Sequence, residues 1–341
     1  MATDFARTLI PSTVLSTVGL FTTISVLVKA VFLFKAYISS SKLSRYAHLS
    51  RDGEPPWALV TGASDGIGRA FVQELANHGF NVVLHGRNHE KLTRVALELQ
   101  GLYPERSFKI MVADANRVAC VSCLEARRNE GPNDTAPLDF TALKKALDGI
   151  NLTVLINNVG GNPTAPVFVP FKDKAEIKVT EIVSLNALFP LHLTRALLPN
   201  LLQNAPALLI NVGTLADQGL PLLASYGASK QFLMTLTGTL RLELKMAGKA
   251  DDVEVLGIRV GRVTGVAGYK APPSLFVPDA KTFAKAALAH AGHGRGIVIG
   301  YWAHALQQLM VSLMPLWVAD KIMISVMRQN EEWERGTKKE V

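Results

Sequence analysis

The 341-residue sequence predicts an α/β fold, a doubly wound parallel seven-stranded sheet, with an N-terminal transmembrane helix. Three observations carry that expectation. Seven short apolar runs alternate with helix-sized gaps between residues 56 and 300. A glycine-rich turn joins the first run to the first helical stretch. Ahead of both, Leu9–Val28 runs without a charge.

Taken in order, the chain reads as a membrane anchor over 1–36, a polar linker over 37–55, an α/β domain over 56–300 and an apolar C-terminal segment over 301–341. The uncharged segment is long enough, at about 1.5 Å per residue, to cross the roughly 30 Å core of a bilayer. It exceeds the apolar region of a signal peptide. Only Arg7, opposed by Asp4, precedes it, whereas Lys29, Lys35, Lys42, Arg45 and Arg51 follow. That asymmetry places the bulk of the chain in the cytosol. The sequons Asn133-Asp134-Thr135 and Asn151-Leu152-Thr153 are then expected to stay unmodified.

The strand candidates are Trp57–Thr61, Asn81–His85, Phe108–Ala113, Thr153–Asn157, Ala207–Val212, Val253–Val260 and Gly296–Gly300. Runs that are apolar on both faces belong to a parallel sheet covered on both sides, the Rossmann-type arrangement. Asn129–Pro137 reads as a surface insertion. Tyr301–Met327 carries many Leu, Met and Trp residues; it suits an interfacial helix or a lid over an apolar pocket.

Composition narrows the partners. A chain 48% hydrophobic and 19% charged builds a packed core, and a mean hydropathy of +0.21 agrees with a membrane segment. The net charge of +8 suits a phosphorylated cofactor, an anionic membrane or a CoA thioester. No zinc-finger spacing or basic run points to nucleic acid. Cys120 and Cys123 lack a second pair or a nearby histidine cluster, so no metal is expected, and they read as small residues on an amphipathic helix.

The first strand runs into Thr61-Gly62-Ala63-Ser64-Asp65-Gly66-Ile67-Gly68. Glycines at this spacing let the backbone turn sharply and approach a pyrophosphate at the helix N-terminus. The second strand ends in Arg87, where an NAD enzyme usually places an acid. A permanently charged, forked guanidinium suits a 2′-phosphate, which favours NADP(H). Ser64 and Arg69 add candidate contacts. Asp114 is placed to meet the adenine edge or to cap the next helix.

Tyr226 and Lys230 lie four apart on a helical pattern and share a face. A neighbouring ammonium is expected to lower the tyrosine pKa, letting it hand a proton to a carbonyl oxygen.

The order TGxxxGxG, Asn157-Asn158-Val159-Gly160, Asn186, Tyr226-x-x-x-Lys230 resembles the short-chain dehydrogenase/reductase superfamily over about 56–265. The anchor, V-L-I-N-N-V-G, S-L-F-V-P and I-G-Y-W-A-H-A-L resemble its branch of very-long-chain 3-oxoacyl-CoA reductases and 17β-hydroxysteroid dehydrogenases. The resemblance implies an NADPH-dependent oxidoreductase that reduces a ketone on a lipophilic substrate, most readily a 3-oxoacyl-CoA. A steroid, polyketide or other specialised metabolite is the alternative substrate, and a degenerate nucleotide-binding interaction protein the alternative of another class. It also implies catalytic roles for Tyr226, Lys230 and Asn186, cofactor contacts at Gly62, Asp65, Gly66, Ile67, Gly68, Asn158, Val263 and Thr264, and a homodimer. Lys338-Lys339 resembles the di-lysine retrieval signal of endoplasmic reticulum membrane proteins.

Two departures stand out. The family serine falls about thirteen residues before the tyrosine, where this chain has Gly213, with Thr214 next to it. Either Thr214 supplies the hydroxyl or the hydroxyl is missing. After the sixth strand the family Pro-Gly is replaced by Gly261-Arg262, which leaves an expectation of a looser loop. Gly265–Pro278 reads as a substrate lid, with Leu275, Phe276 and Val277 pointing to an apolar substrate.

Overall fold

The computed structural model describes residues 12–118, 138–162, 165–266 and 269–337. Cys120, Cys123, the 129–137 insertion, the 133–135 sequon and Lys338-Lys339 lie outside them. The chain divides after Ser40 into an N-terminal unit and a larger unit beginning at Ser41.

The N-terminal unit contains helix α1 (Ser12–Ile38), about 40 Å long at 1.5 Å per residue. Leu20 and Phe21 are among its exposed apolar side chains.

The larger unit is built on seven strands: β1 (Pro56–Thr61), β2 (Asn81–Gly86), β3 (Phe108–Val112), β4 (Asn151–Asn157), β5 (Ala207–Thr214), β6 (Val253–Val260) and β7 (Ile297–Ile299). They pair in parallel in the order β3-β2-β1-β4-β5-β6-β7. The strand order switches sides between β1 and β4, the crevice where open parallel sheets take ligands. Alternating side chains divide between two cores. Ala58, Val60, Leu208, Ile210, Leu256 and Ile258 face Phe71, Leu75, Leu92 and Phe283 on one side. Leu59, Leu155, Leu209 and Val255 face Phe189, Leu193, Leu197 and Leu244 on the other. An irregularity in the β1–β4 pairing skips Thr153, so Leu152 and Leu155 meet the same core despite their odd spacing.

The helices that cover these faces are α2 (Gly66–Asn77), α3 (His89–Leu102), α4 (Phe140–Lys145), α5 (Glu176–Val183), α6 (Phe189–Gln203), α7 (Ala224–Met246) and α8 (Ala280–Leu288). A π-turn, Ser184–Leu188, joins α5 to α6. The stretch Glu176–Gln203 has the length and apolarity to cross a membrane. Leu185, Phe189, Leu193 and Leu197 are instead buried in the core, which makes it a sheet-covering helix.

The segment expected as a linker is partly structural. Leu43 and Tyr46 are fully buried, and Tyr46 hydrogen-bonds Glu254 at the start of β6. Asn151 is buried as well, its amide donating to His48 O at 2.9 Å. A glycan cannot be carried there in the folded chain, so the 151–153 sequon reports nothing about which side of a membrane it faces.

The C-terminal segment forms α9 (Trp302–Ser312) and α10 (Leu316–Thr337). Leu313, Leu316 and Trp317 are exposed around the corner between them. Asn330, Trp333 and Glu334, on the far part of α10 and beyond the 301–327 stretch expected as a lid, line the cavity described next.

Candidate active site

A cavity of about 860 Å³ opens at the carboxyl ends of the strands, running from the glycine turn to Tyr226 and Lys230. Gly62 and Gly66 turn the chain with φ of 68° and 53°. A Cβ on Gly68 would lie 2.0 Å from Gly62 O, so only glycine closes this turn. Thr61 locks it to β4: its hydroxyl accepts from the N–H of Asn158 and of Val159, both at 2.9 Å. The Asn158 amide donates to Thr61 O. Asp65 caps α2, accepting from Gly66 N at 2.7 Å.

The expected cofactor residues separate into two groups. Gly62, Asp65, Gly66, Ile67, Gly68, Asn158 and Val263 line the cavity together with Tyr226 and Lys230. Ser64 and Thr264 do not. Thr264 is buried and its hydroxyl donates to Ala271 O, tying down the loop that follows. Asp114 is a helix cap, accepting from Asn116 N and pairing with Arg117. Arg69 pairs with Glu98. Arg87 is exposed just past β2 and forms no ion pair among the described residues.

At the other end, β5 and α7 bring Thr214, Tyr226 and Lys230 to one wall of the cavity. There the Thr214 side chain lies near enough to Tyr226 to oppose the rise of its pKa. Gly213 borders the cavity with its backbone, but a Cβ there would meet Met234 Sδ at 2.9 Å. The strand alternation thus turns the Thr214 side chain to the cavity, while a side chain at 213 would point at Met234. Lys230 is buried and donates to Val212 O at 2.9 Å. Burial lowers its pKa to about 8. Burial raises that of Tyr226, and the Asp217 charge adds to the rise while the Thr214 side chain opposes it. The tyrosine pKa, expected to fall beside Lys230, is instead raised by desolvation. Asp217 is itself buried, held by Arg259 Nε at 2.7 Å.

Asn186 sits in the π-turn, a feature common at functional sites. Its amide binds Gly161 at both ends, accepting from the N–H at 2.9 Å and donating to the carbonyl at 2.8 Å. A Cβ on Gly160 would lie 2.6 Å from Lys230 Nζ and 2.7 Å from Asn186 Oδ1, which shows how closely the two flank that glycine.

The missing Pro-Gly has a structural replacement. Fully buried His304, from α9, accepts from Gly261 N at 3.2 Å through Nδ1 and contacts Arg262 O at 3.0 Å through Nε2. Burial lowers its pKa, which keeps the ring neutral and able to do both. A Cβ on Gly261 would strike the ring at 2.7 Å. The loop expected to be loose is clamped. In the 265–278 segment, Val266 and Tyr269 line the cavity, whereas Leu275, Phe276 and Val277 do not. The apolar wall comes instead from Val167, Phe168 and Trp333. Glu334 fixes that wall, accepting from Val167 N at 2.7 Å and Phe168 N at 3.0 Å.

A glycine-turn Rossmann sheet with a tyrosine–lysine helix beside its cavity is the architecture of short-chain dehydrogenases, and the chain belongs to that family: the family described as short chain dehydrogenase matches residues 56–130 and 134–269. Within it the chain stands on the very-long-chain 3-oxoacyl-CoA reductase branch. A very-long-chain 3-oxoacyl-CoA reductase-like protein of Arabidopsis thaliana is 31% identical over 86% of both chains. A very-long-chain 3-oxoacyl-CoA reductase of Phaeosphaeria nodorum is 32% identical over 75% of this chain and 71% of its own. A short-chain dehydrogenase from Sphingobium yanoikuyae, solved in complex with NADPH, shares the fold with a TM-score of 0.58 at 22% identity, covering 76% of this chain and 97% of that one.

Proposed function

We propose that this chain is an NADPH-dependent reductase of 3-oxoacyl-CoA thioesters, anchored by α1 in the endoplasmic reticulum membrane with its larger unit in the cytosol. The placement of Tyr226, Thr214 and Lys230 on one wall of the cavity carries the chemical part of this reading. The relatives on the same branch support the substrate class. The residues fit the cofactor. Gly68 has no room for an added carbon, and Arg87 offers a guanidinium that forms no ion pair among the described residues, in place of the acid that would hold a ribose hydroxyl.

Gly62–Gly68 would hold the pyrophosphate, Arg87 the 2′-phosphate, and Lys230 and Val263 the nicotinamide end. When bound, NADPH supplies the hydride. Tyr226, kept protonated by its burial, donates a proton from Oη to the substrate carbonyl oxygen. The Thr214 hydroxyl aligns that oxygen and shares its growing negative charge. Lys230, ionised below about pH 8, provides the positive charge that eases departure of the tyrosine proton. Asn186 holds Gly161, and with it the loop beyond β4, against Lys230.

For the anchor, the support is the length and apolarity of α1 and the five cations that follow Leu9–Val28. The endoplasmic reticulum rests on the branch resemblance.

The test is cofactor oxidation by purified full-length protein against 3-oxoacyl-CoAs of increasing chain length and against ketosteroids. Preferential turnover of the long thioesters supports the reading; turnover of ketosteroids alone moves the substrate to the other arm of the branch. Protease added to sealed microsomes should digest the larger unit, and protection of it would reverse the orientation.

A further inference from the structure

Beside the main cavity lies an annex of about 360 Å³, within the usual range of small-molecule sites. Its walls come from two distant segments: Arg262, Tyr269 and Lys270 after β6, and Gln329, Asn330 and Trp333 on α10. Arg262, Tyr269, Asn330 and Trp333 also line the main cavity, so the two spaces are continuous. The annex pairs two cations with two aromatic rings, and its described lining contains no carboxylate.

The cations are presented for a ligand. Arg262 and Lys270 are exposed. The Arg262 backbone is held by His304, and its guanidinium carbon lies 4.2 Å from the centre of the Tyr269 ring. A guanidinium so fixed suits a phosphate, and the exposed ring of Trp333 suits a nucleobase.

We propose that the annex binds the 3′-phospho-ADP end of a CoA thioester while the acyl carbonyl reaches Tyr226. This rests on the thioester reading above. The adenine end of NADPH is the other phosphorylated nucleotide to consider. Its 2′-phosphate belongs with Arg87, after β2, and four strand positions separate β2 from β6. At roughly 4.8 Å per strand this is about 19 Å. One phosphate cannot serve both ends.

The test compares a long-chain 3-oxoacyl-CoA with the same acyl group on N-acetylcysteamine, which keeps the thioester and lacks the nucleotide. Wild type should prefer the CoA ester through a lower KM. Lys270→Gln and Arg262→Gln should each raise KM for the CoA ester about tenfold, the scale of a lost charge-assisted hydrogen bond. Lys270→Gln should leave kcat, KM for NADPH and kinetics on the truncated ester unchanged. Free CoA should inhibit the wild type better than 3′-dephospho-CoA does. Equal use of both esters with no response to either substitution overturns the annex and leaves the function standing. A raised KM for NADPH in Lys270→Gln assigns the annex to the cofactor and overturns the proposal. Reduction of neither ester by wild type removes the thioester reading and the annex together.

Discussion

Tyr226 shares a cavity wall with Thr214, twelve residues earlier at the end of β5, and the Thr214 side chain holds the tyrosine pKa down against burial. We therefore propose Thr214, and not position 213, as the source of the carbonyl-orienting hydroxyl. Thr214→Ala is expected to lower kcat by about 100-fold with folding and NADPH binding intact. Thr214→Ser should retain much of the activity, and Tyr226→Phe should lose more than Thr214→Ala. Gly213→Ser should not rescue Thr214→Ala. Its Cβ meets Met234, so it should instead lower thermal stability, by about 1 kcal/mol. Rescue by that substitution would return the family serine to position 213.

Cofactor choice follows from Arg87. The wild type should favour NADPH over NADH in kcat/KM, and Arg87→Asp should reverse the order, since a carboxylate repels a 2′-phosphate and accepts from a 2′-hydroxyl. Equal use of both cofactors by the wild type would contradict this.

The pH profile follows from Lys230. Its pKa is lowered to about 8, so the ammonium is complete well below that pH and is lost above it. Tyr226 is raised and stays protonated across the same window. Carbonyl reduction should therefore be flat near neutrality and fall with one proton as pH rises through about 8, read as kcat/KM in the free enzyme. A profile level to pH 10 would show that the ammonium is not needed.

Gly261 and His304 should be coupled. In wild type, Gly261→Ala places a carbon against the imidazole. After His304→Ala that clash is gone, so the second substitution should cost less. A double-mutant cycle on unfolding should give a coupling of about 0.5–3 kcal/mol, and His304→Ala alone should raise KM for NADPH. Additive costs would mean the ring does not hold the loop.

Most of the sheet was legible because it is local: seven apolar runs, each with both faces buried except at the edges, repeat at a spacing that only βαβ units satisfy. The glycine turn and the tyrosine–lysine pair were legible for the same reason, each lying within one turn or helix. What escaped involves long-range pairing. His304 meets Gly261 from α9, and Glu334 meets Val167 across 167 residues. Nothing near either residue announces its partner. Leu43 and Tyr46 lie in a polar stretch whose burial depends on α8 and β6. Thr264 has the right residue type for a cofactor contact, yet its hydroxyl is used by Ala271. The apolar wall was sought in Leu275–Val277, when Trp333, near the end of the described chain, helps to form it.

Protonation of a 3-oxoacyl-CoA carbonyl by Tyr226 is read from product analysis with NADPH and a long-chain 3-oxoacyl-CoA, comparing wild type with Tyr226→Phe. The wild type should form one 3-hydroxyacyl-CoA per NADPH oxidised, and a Tyr226→Phe variant that still binds NADPH should form almost none. Hydroxyacyl product from that variant at a rate near wild type would contradict it.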